Sequence, residues 1–232
     1  MFPLVGRRNE VRKLSAALKA RQSRLITGPS GIGKTRLLEE CLFKSGQPFL
    51  RIERPPVLHD LLVSIAQKLA CRSARFSDIR RATTVHLKAL VLHALLSNPQ
   101  CVILEDIPPA DPRMYRFLQQ LYYVPKNCVV VTTTSKDSIG HLSKLLWDPR
   151  EEIRLRPLTH RECLALFELA CQAFQLELFD RGDFRKKVIA AAHGNPGRII
   201  AMCRLASQPE YRSGKYIKFL PLRIDALSAF VS

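Results

Sequence analysis

Residues 25–37 read Leu-Ile-Thr-Gly-Pro-Ser-Gly-Ile-Gly-Lys-Thr-Arg-Leu, and no other stretch limits the possible folds so tightly. Gly28, Pro29, Ser30, Gly31, Ile32, Gly33, Lys34 and Thr35 satisfy G-x-x-x-x-G-K-[ST] in full. The apolar run Leu25-Ile26-Thr27 precedes them, and a helix-favouring run begins at Thr35 and Arg36. Strand, glycine turn and helix together form the setting in which such a turn binds phosphate. The glycines let the backbone curl so that successive N–H groups point inward. A helix starting near Gly33 adds its positive end. Lys34 can then reach the outer phosphates and the Thr35 hydroxyl can ligate Mg²⁺. An ordinary glycine turn before a helix is the competing reading, and it leaves the Lys34-Thr35 pair unexplained.

Short apolar runs alternate with helical patterns along the chain. Strands are predicted at 25–27, 49–52, 101–104, 127–133 and 152–155. Helices are predicted at 9–20, 33–44, 57–71, 84–97, 112–122 and 138–147, with Asn9 capping the first. Pro55-Pro56 cut off the second strand, and the basic segment 72–81 reads as a loop. This alternation predicts an α/β fold, a parallel sheet flanked by helices. From Thr159 onward the pattern is helical only. Thr159 and Glu162 form a capping box for a helix over 161–174, a second helix covers 183–192, and Asn195-Pro196-Gly197 open a third over 198–207. The expected organisation is a core over 1–157, a small all-helical lid over 158–210 and a tail of mixed pattern over 211–232.

Charge adds a second constraint. Thirty-seven Lys and Arg oppose 20 acidic residues, giving +17, an excess suited to neutralising the phosphates of a nucleic acid. A generic solvated basic surface is the alternative. No run of five basic residues occurs, so the charge belongs to folded faces. Arg72, Arg75, Arg80 and Arg81 make the densest local cluster, either a solvated loop or a DNA-facing one. The seven cysteines form no C-x-x-C pair and read as buried, reduced thiols of a cytoplasmic protein without a metal site of its own. No apolar run is long enough to span a bilayer, and the N-terminus lacks a signal-peptide core.

A phosphate-binding loop alone hydrolyses nothing. Mg²⁺ needs a carboxylate, and an attacking water needs a base. Both are expected at the carboxyl end of a neighbouring buried strand, where Val102-Ile103-Leu104 runs into Glu105-Asp106. Two carboxylates there can also be a plain loop start; with the glycine turn upstream they read as a magnesium and water site.

On these residues the chain resembles AAA+ and STAND-type P-loop ATPases, in particular the branch of origin-recognition and transposition-associated ATPases, from Leu4 to Ser207. Val5-Gly6-Arg7 resembles the segment that lies over adenine. Val129–Val131 followed by Thr132, Thr133 and Thr134 resembles the sensor 1 strand, and Gly194-Asn195-Pro196 resembles the G-x-P motif opening a lid helix. The resemblance implies bound ATP and Mg²⁺, with Thr35 and Glu105 toward the metal, Asp106 toward the water and Thr134 toward the γ-phosphate. It also implies an arginine of the lid helix near Gly197, where this chain has Arg198 one residue later, and an arginine given to a neighbouring subunit, for which Arg150 fits best and Arg154 second. The family usually has Asp then Glu where this chain has Glu105 then Asp106, so slow or partner-dependent hydrolysis is expected. The implied function is an ATPase that assembles on nucleic acid, DNA above all, as a homo-oligomeric ring or filament. The rival reading is a weakly hydrolysing switch that recruits a protein partner. A small-molecule kinase fits less well, because such kinases usually lack a helical lid after the core.

Overall fold

The computed structural model describes residues 2–54, 57–69, 76–146, 148–176, 181–214, 216–228 and 230. Pro55-Pro56, Arg72 and Arg75, all weighed in the sequence, lie outside the described residues, as do Cys71, Trp147, Leu178 and Phe179. The chain divides into two units.

The larger unit comprises residues 9–29 and 37–154. Its strands are β1 (Arg24–Thr27), β2 (Phe49–Glu53), β3 (Cys101–Glu105), β4 (Cys128–Thr133) and β5 (Glu152–Arg154). They form one sheet in the order β2-β3-β4-β1-β5, every pairing parallel. Both faces of such a sheet are covered, so the strands need no polar alternation. In β3 and β4 the period of two still shows. Val102, Leu104, Val129 and Val131 join one core with α3 (Leu58–Leu69), α5 (Thr84–Ser97) and α6 (Pro112–Tyr122), while Ile103 and Val130 are equally buried on the other face. Leu14, Ala17 and Leu18 bury one stripe of α1 (Arg8–Lys19), and α2 covers Lys34–Ser45.

Several local expectations need correction. Asn9 lies inside α1 and does not cap it; the backbone reverses earlier, with Gly6 and Arg7 both at positive φ, so the helix begins at Arg8. Residues 76–81 form a short helix, α4 (Phe76–Arg81), held by the buried Ile79, and not a loop; Arg80 and Arg81 project from it into solvent. The helix expected at 138–147 is two 3-10 turns, Asp137–Ile139 and His141–Lys144, separated by Gly140 at φ 57°. A left-handed residue there cannot continue an α-helix. β3 does not adjoin β1, because β4 stands between them. The two strands nonetheless end almost level, since Thr27 pairs with Thr133 and Glu105 with Thr132.

The smaller unit comprises residues 1–8, 30–36 and 155–232. Its helices are α7 (His160–Ala173), α8 (Arg181–Ala192), α9 (Pro196–Ala206) and α10 (Phe219–Ser228). They close on a core of Leu166, Phe167, Phe184, Val188, Ile199 and Met202. Thr159 and Glu162 make the capping box in full. The unit is not helical throughout: Arg212–Ser213 and Tyr216–Ile217 pair as a two-stranded antiparallel ribbon, β6 and β7. Phe2 and Val5 pack against this helical core.

Candidate functional site

Residues 30–36 belong to the helical unit, and two hydrogen bonds tie them to the start of α9. Asn195 Nδ2 donates to Ser30 O at 2.8 Å, and Gly197 N donates to Gly31 O at 2.9 Å. Asn195 has a second task, because its Oδ1 accepts the Arg198 N–H and caps α9 ahead of Pro196. Gly31 sits at φ 75° and Gly33 at φ 101°, conformations open to glycine. A β-carbon on Gly31 would lie 2.6 Å from Phe230 Cε1 and 2.9 Å from Asn195 Oδ1. Gly197 is equally confined: a β-carbon there would meet Gly31 Cα at 2.9 Å. The position near which an arginine was expected is therefore needed by the backbone contact, and Arg198 follows it. Arg198 Nε is buried and has no hydrogen-bond partner among the described residues.

Beside the loop lies a cavity of about 350 Å³ whose walls include Phe2, Val5, Ile32, Leu166, Pro196 and Ile200. Arg7 and Arg36 also border it. Arg7 Nη2 donates to Ile32 O at 3.4 Å, and Arg36 Nε donates to Phe2 O at 3.0 Å, so both guanidiniums join the N-terminal segment to the loop. Lys34 is buried at the first position of α2. An apolar recess next to positive-φ glycines, a buried lysine and a helix N-terminus fits a nucleobase followed by its phosphates. The structure thus gathers Val5, Arg7, Gly31, Ile32, Gly33, Arg36, Pro196 and Arg198 into one unit. Gly6 belongs there too, on the α7 cap: a β-carbon on it would strike Glu162 Oε1 at 2.5 Å. Phe2 and Phe230 were missed by the sequence reading, and Asn195 entered it only as a residue opening a helix. Asn195 was legible as a cap, but nothing in its surroundings announced a bond to a loop 165 residues away.

In the sheet unit, Gly28 continues β1 by donating to Thr133 O at 3.2 Å, and Pro29 follows it. Glu105 ends β3 and is buried. Arg51 of β2 answers it, with Nε 2.5 Å from Oε1 as an ion-pair contact and Nη2 donating to Oε2 at 3.3 Å. Burial works against the charge on Arg51, but Glu105, then Glu53 and Glu39, more than offset it and raise its pKa further. Asp106 leaves the strand at φ 49°, donates its N–H to Thr132 O at 3.1 Å, and is half exposed beside Arg54 at 3.5 Å. Of the three threonines, Thr132 and Thr133 are buried and Thr134 is exposed, its Oγ1 donating to Ser138 Oγ at 3.4 Å. The Thr35 hydroxyl and the Glu105 carboxylate are hard oxygen donors, the kind Mg²⁺ takes.

Arg150 and Arg154 stand at opposite ends of β5. Arg154 pairs with Thr27, at the end from which the phosphate loop departs. Arg150 precedes the strand and is 93% exposed, beside Asp148 at 3.6 Å. A polar cavity of about 450 Å³ opens there, with Arg21, Arg24, Tyr122 and Glu151 among its walls. Tyr122 donates to Glu151 at 2.8 Å, and burial together with that carboxylate pushes its hydroxyl up to about 12. No described helix is long and apolar enough to cross a membrane.

The family described as AAA ATPase domain matches residues 3–131. The vesicular-fusion protein SEC18 of Saccharomyces cerevisiae is 32% identical over 138 residues, which is 56% of this chain and 17% of that one, so this chain spans about a sixth of that relative's length. Cdc6p of Pyrobaculum aerophilum is similar in structure, with a TM-score of 0.70 at 16% identity over 94% of this chain and 65% of its own. The Aeropyrum pernix ORC1 protein, solved in complex with DNA, gives a TM-score of 0.63 at 17% identity over 98% of this chain and 66% of its own.

Proposed function

Because the chain belongs to the AAA ATPase domain family, we propose that it binds ATP on the glycine loop and couples binding and hydrolysis to assembly on a nucleic acid. The observation that carries this reading is the loop itself: positive-φ Gly31 and Gly33, the buried Lys34, and the unmatched Nε of Arg198 in one unit with an apolar recess. The base enters the recess beside Val5 and Pro196. Loop N–H groups and Lys34 take the phosphates, and Arg198 supplies a further positive charge. Thr35, at the start of α2, would offer Mg²⁺ a hydroxyl, and Glu105, at the end of β3, a carboxylate of the kind that ion takes; the ion would supply positive charge against the phosphates. Asp106 would take the proton of an attacking water whose oxygen bonds to the γ-phosphorus as the bond to the β-phosphate oxygen breaks and ADP leaves, and Thr134 would contact the γ-phosphate. Arg150 precedes β5, at the end of the strands opposite the one from which the loop departs, which suits a group given to a second copy's nucleotide in a homo-oligomer.

Nucleic acid is favoured as the partner by the +17 charge and by a fold shared with a protein solved on DNA. A second reading is a slowly hydrolysing switch that recruits a protein. It is favoured by Asp106, a short carboxylate at φ 49° and beside Arg54. Single-turnover ATP hydrolysis, with and without duplex DNA, tests the two. Turnover that DNA stimulates and Asp106→Asn abolishes supports the motor; residual turnover unchanged by either supports the switch.

A further inference from the structure

Glu53 and Glu105 lie directly opposite each other across β2 and β3. Like charges in that position repel unless something stands between them. Arg51, two residues before Glu53 and therefore on the same face of the strand, does so. Its Nε is 2.5 Å from Glu105 Oε1 and 3.3 Å from Glu53 Oε1, and its Nη1 is 3.5 Å from Glu39 Oε1 on α2. Three carboxylates therefore share one guanidinium. They are not equivalent: the Glu105 side chain is 7% exposed, whereas those of Glu39 and Glu53 are 33% and 67% exposed.

A divalent cation taken up through Glu105 meets this guanidinium on the same carboxylate. Both oxygens are engaged, Oε1 by Nε and Oε2 by Nη2. Two positive groups on one buried carboxylate repel strongly where the dielectric is low. Glu39 and Glu53 offer the displaced guanidinium a second seat within its present reach, so its charge need not be stranded. We propose that Arg51 is a positioning residue that occupies Glu105 as an internal cation and sets the divalent-ion concentration at which the carboxylate is released to the metal, by transferring to Glu39 and Glu53. The inference rests on the reading of Glu105 as a metal carboxylate and adds to it a threshold built into the neighbouring strand.

The test uses Mn²⁺ as the probe, with free Mn²⁺ measured by electron paramagnetic resonance in the presence of ADP and excess protein. A fluorescent ADP analogue is first titrated without metal. In Arg51→Gln the competitor is gone, and Mn²⁺ is expected to bind several-fold more tightly than in the wild type. In Glu53→Gln and Glu39→Gln the second seat is weakened, and Mn²⁺ is expected to bind several-fold more weakly. The opposite signs separate competition from a structural role, which shifts all three variants the same way. Glu53→Gln and Glu39→Gln keep the Arg51–Glu105 pair, so the prediction survives even if Arg51→Gln fails to fold. Nucleotide binding with unshifted Mn²⁺ curves, or weaker Mn²⁺ binding in Arg51→Gln, overturns this inference alone. A wild type that binds no nucleotide overturns the proposed function as well.

Discussion

At the carboxyl end of β3 a buried carboxylate forms an ion pair with a guanidinium from the next strand; at the start of α9 the buried Nε of a guanidinium has no hydrogen-bond partner among the described residues. Glu105 and Arg198 are both partly or wholly withdrawn from water, and both lie where the sequence places functional charge. The sheet unit neutralises its charge internally, through Arg51, at a cost in desolvation that good geometry must offset. The helical unit leaves a cationic atom unmatched and shapes a recess beside it. An internally matched group is ready to be exchanged, whereas an unmatched one is ready to be filled. The first property suits a metal carboxylate that must be released, and the second suits a site awaiting an anion.

Substitutions can break this contrast at either end. The largest effect is expected at Gly31. Gly31→Val places a branched side chain at φ 75° against Phe230 and Asn195, a strain of about 1–3 kcal/mol before any clash. Nucleotide affinity should fall at least about tenfold, as read by a fluorescent ATP analogue. Gly46 is the control: it has φ 61° but open space around a β-carbon, so Gly46→Val should lower stability and leave nucleotide affinity alone. Arg198→Met removes the guanidinium whose Nε has no hydrogen-bond partner among the described residues, while keeping the stem. ATP affinity should drop about tenfold, equivalent to about 1.4 kcal/mol, and ADP affinity less. Equal losses for the two nucleotides would show that Arg198 does not reach the outer phosphate.

Asn195→Ala removes the α9 cap and the bond to Ser30 together. Loss of about 1–2 kcal/mol is expected, a fall of several degrees in Tm by calorimetry. Asn195→Ser keeps a capping oxygen but is too short for Ser30, and should recover only the cap's share of the stability. The smallest effect belongs to Arg54→Ala. Its pair with Asp106 is exposed on both sides, so stability should change by less than about 0.5 kcal/mol in denaturant unfolding. Arg51→Ala, which leaves the buried Glu105 without its half-buried guanidinium, should cost more than this by the same assay, about 1–3 kcal/mol.

The sheet was legible because its strands are short, wholly apolar runs, such as Val102-Ile103-Leu104, bounded by polar or proline residues. The capping box of Thr159 and Glu162 and the helices at 84–97 and 112–122 were legible for the same local reasons. Failures came where tertiary contacts decide. Gly140 breaks a helical-looking segment into 3-10 turns, and Ile79 folds a basic stretch by burying itself. At the site, the glycine loop and the acidic pair announce themselves by residue type. Arg51 does not: an arginine alternating with Glu53 reads as a solvated strand edge until the register sets Glu53 opposite Glu105 and the guanidinium reaches that carboxylate. Asn195 and Gly197 are likewise ordinary helix-start residues until the fold brings Ser30 and Gly31 to them.

The central claim, that the glycine loop holds a nucleotide, is met most directly by calorimetric titration of ATP into the wild type and into Lys34→Ala under the same conditions. The account predicts one nucleotide bound per chain in the wild type and none measurable in the variant. Binding that survives intact in Lys34→Ala, or no binding by the wild type, would contradict it.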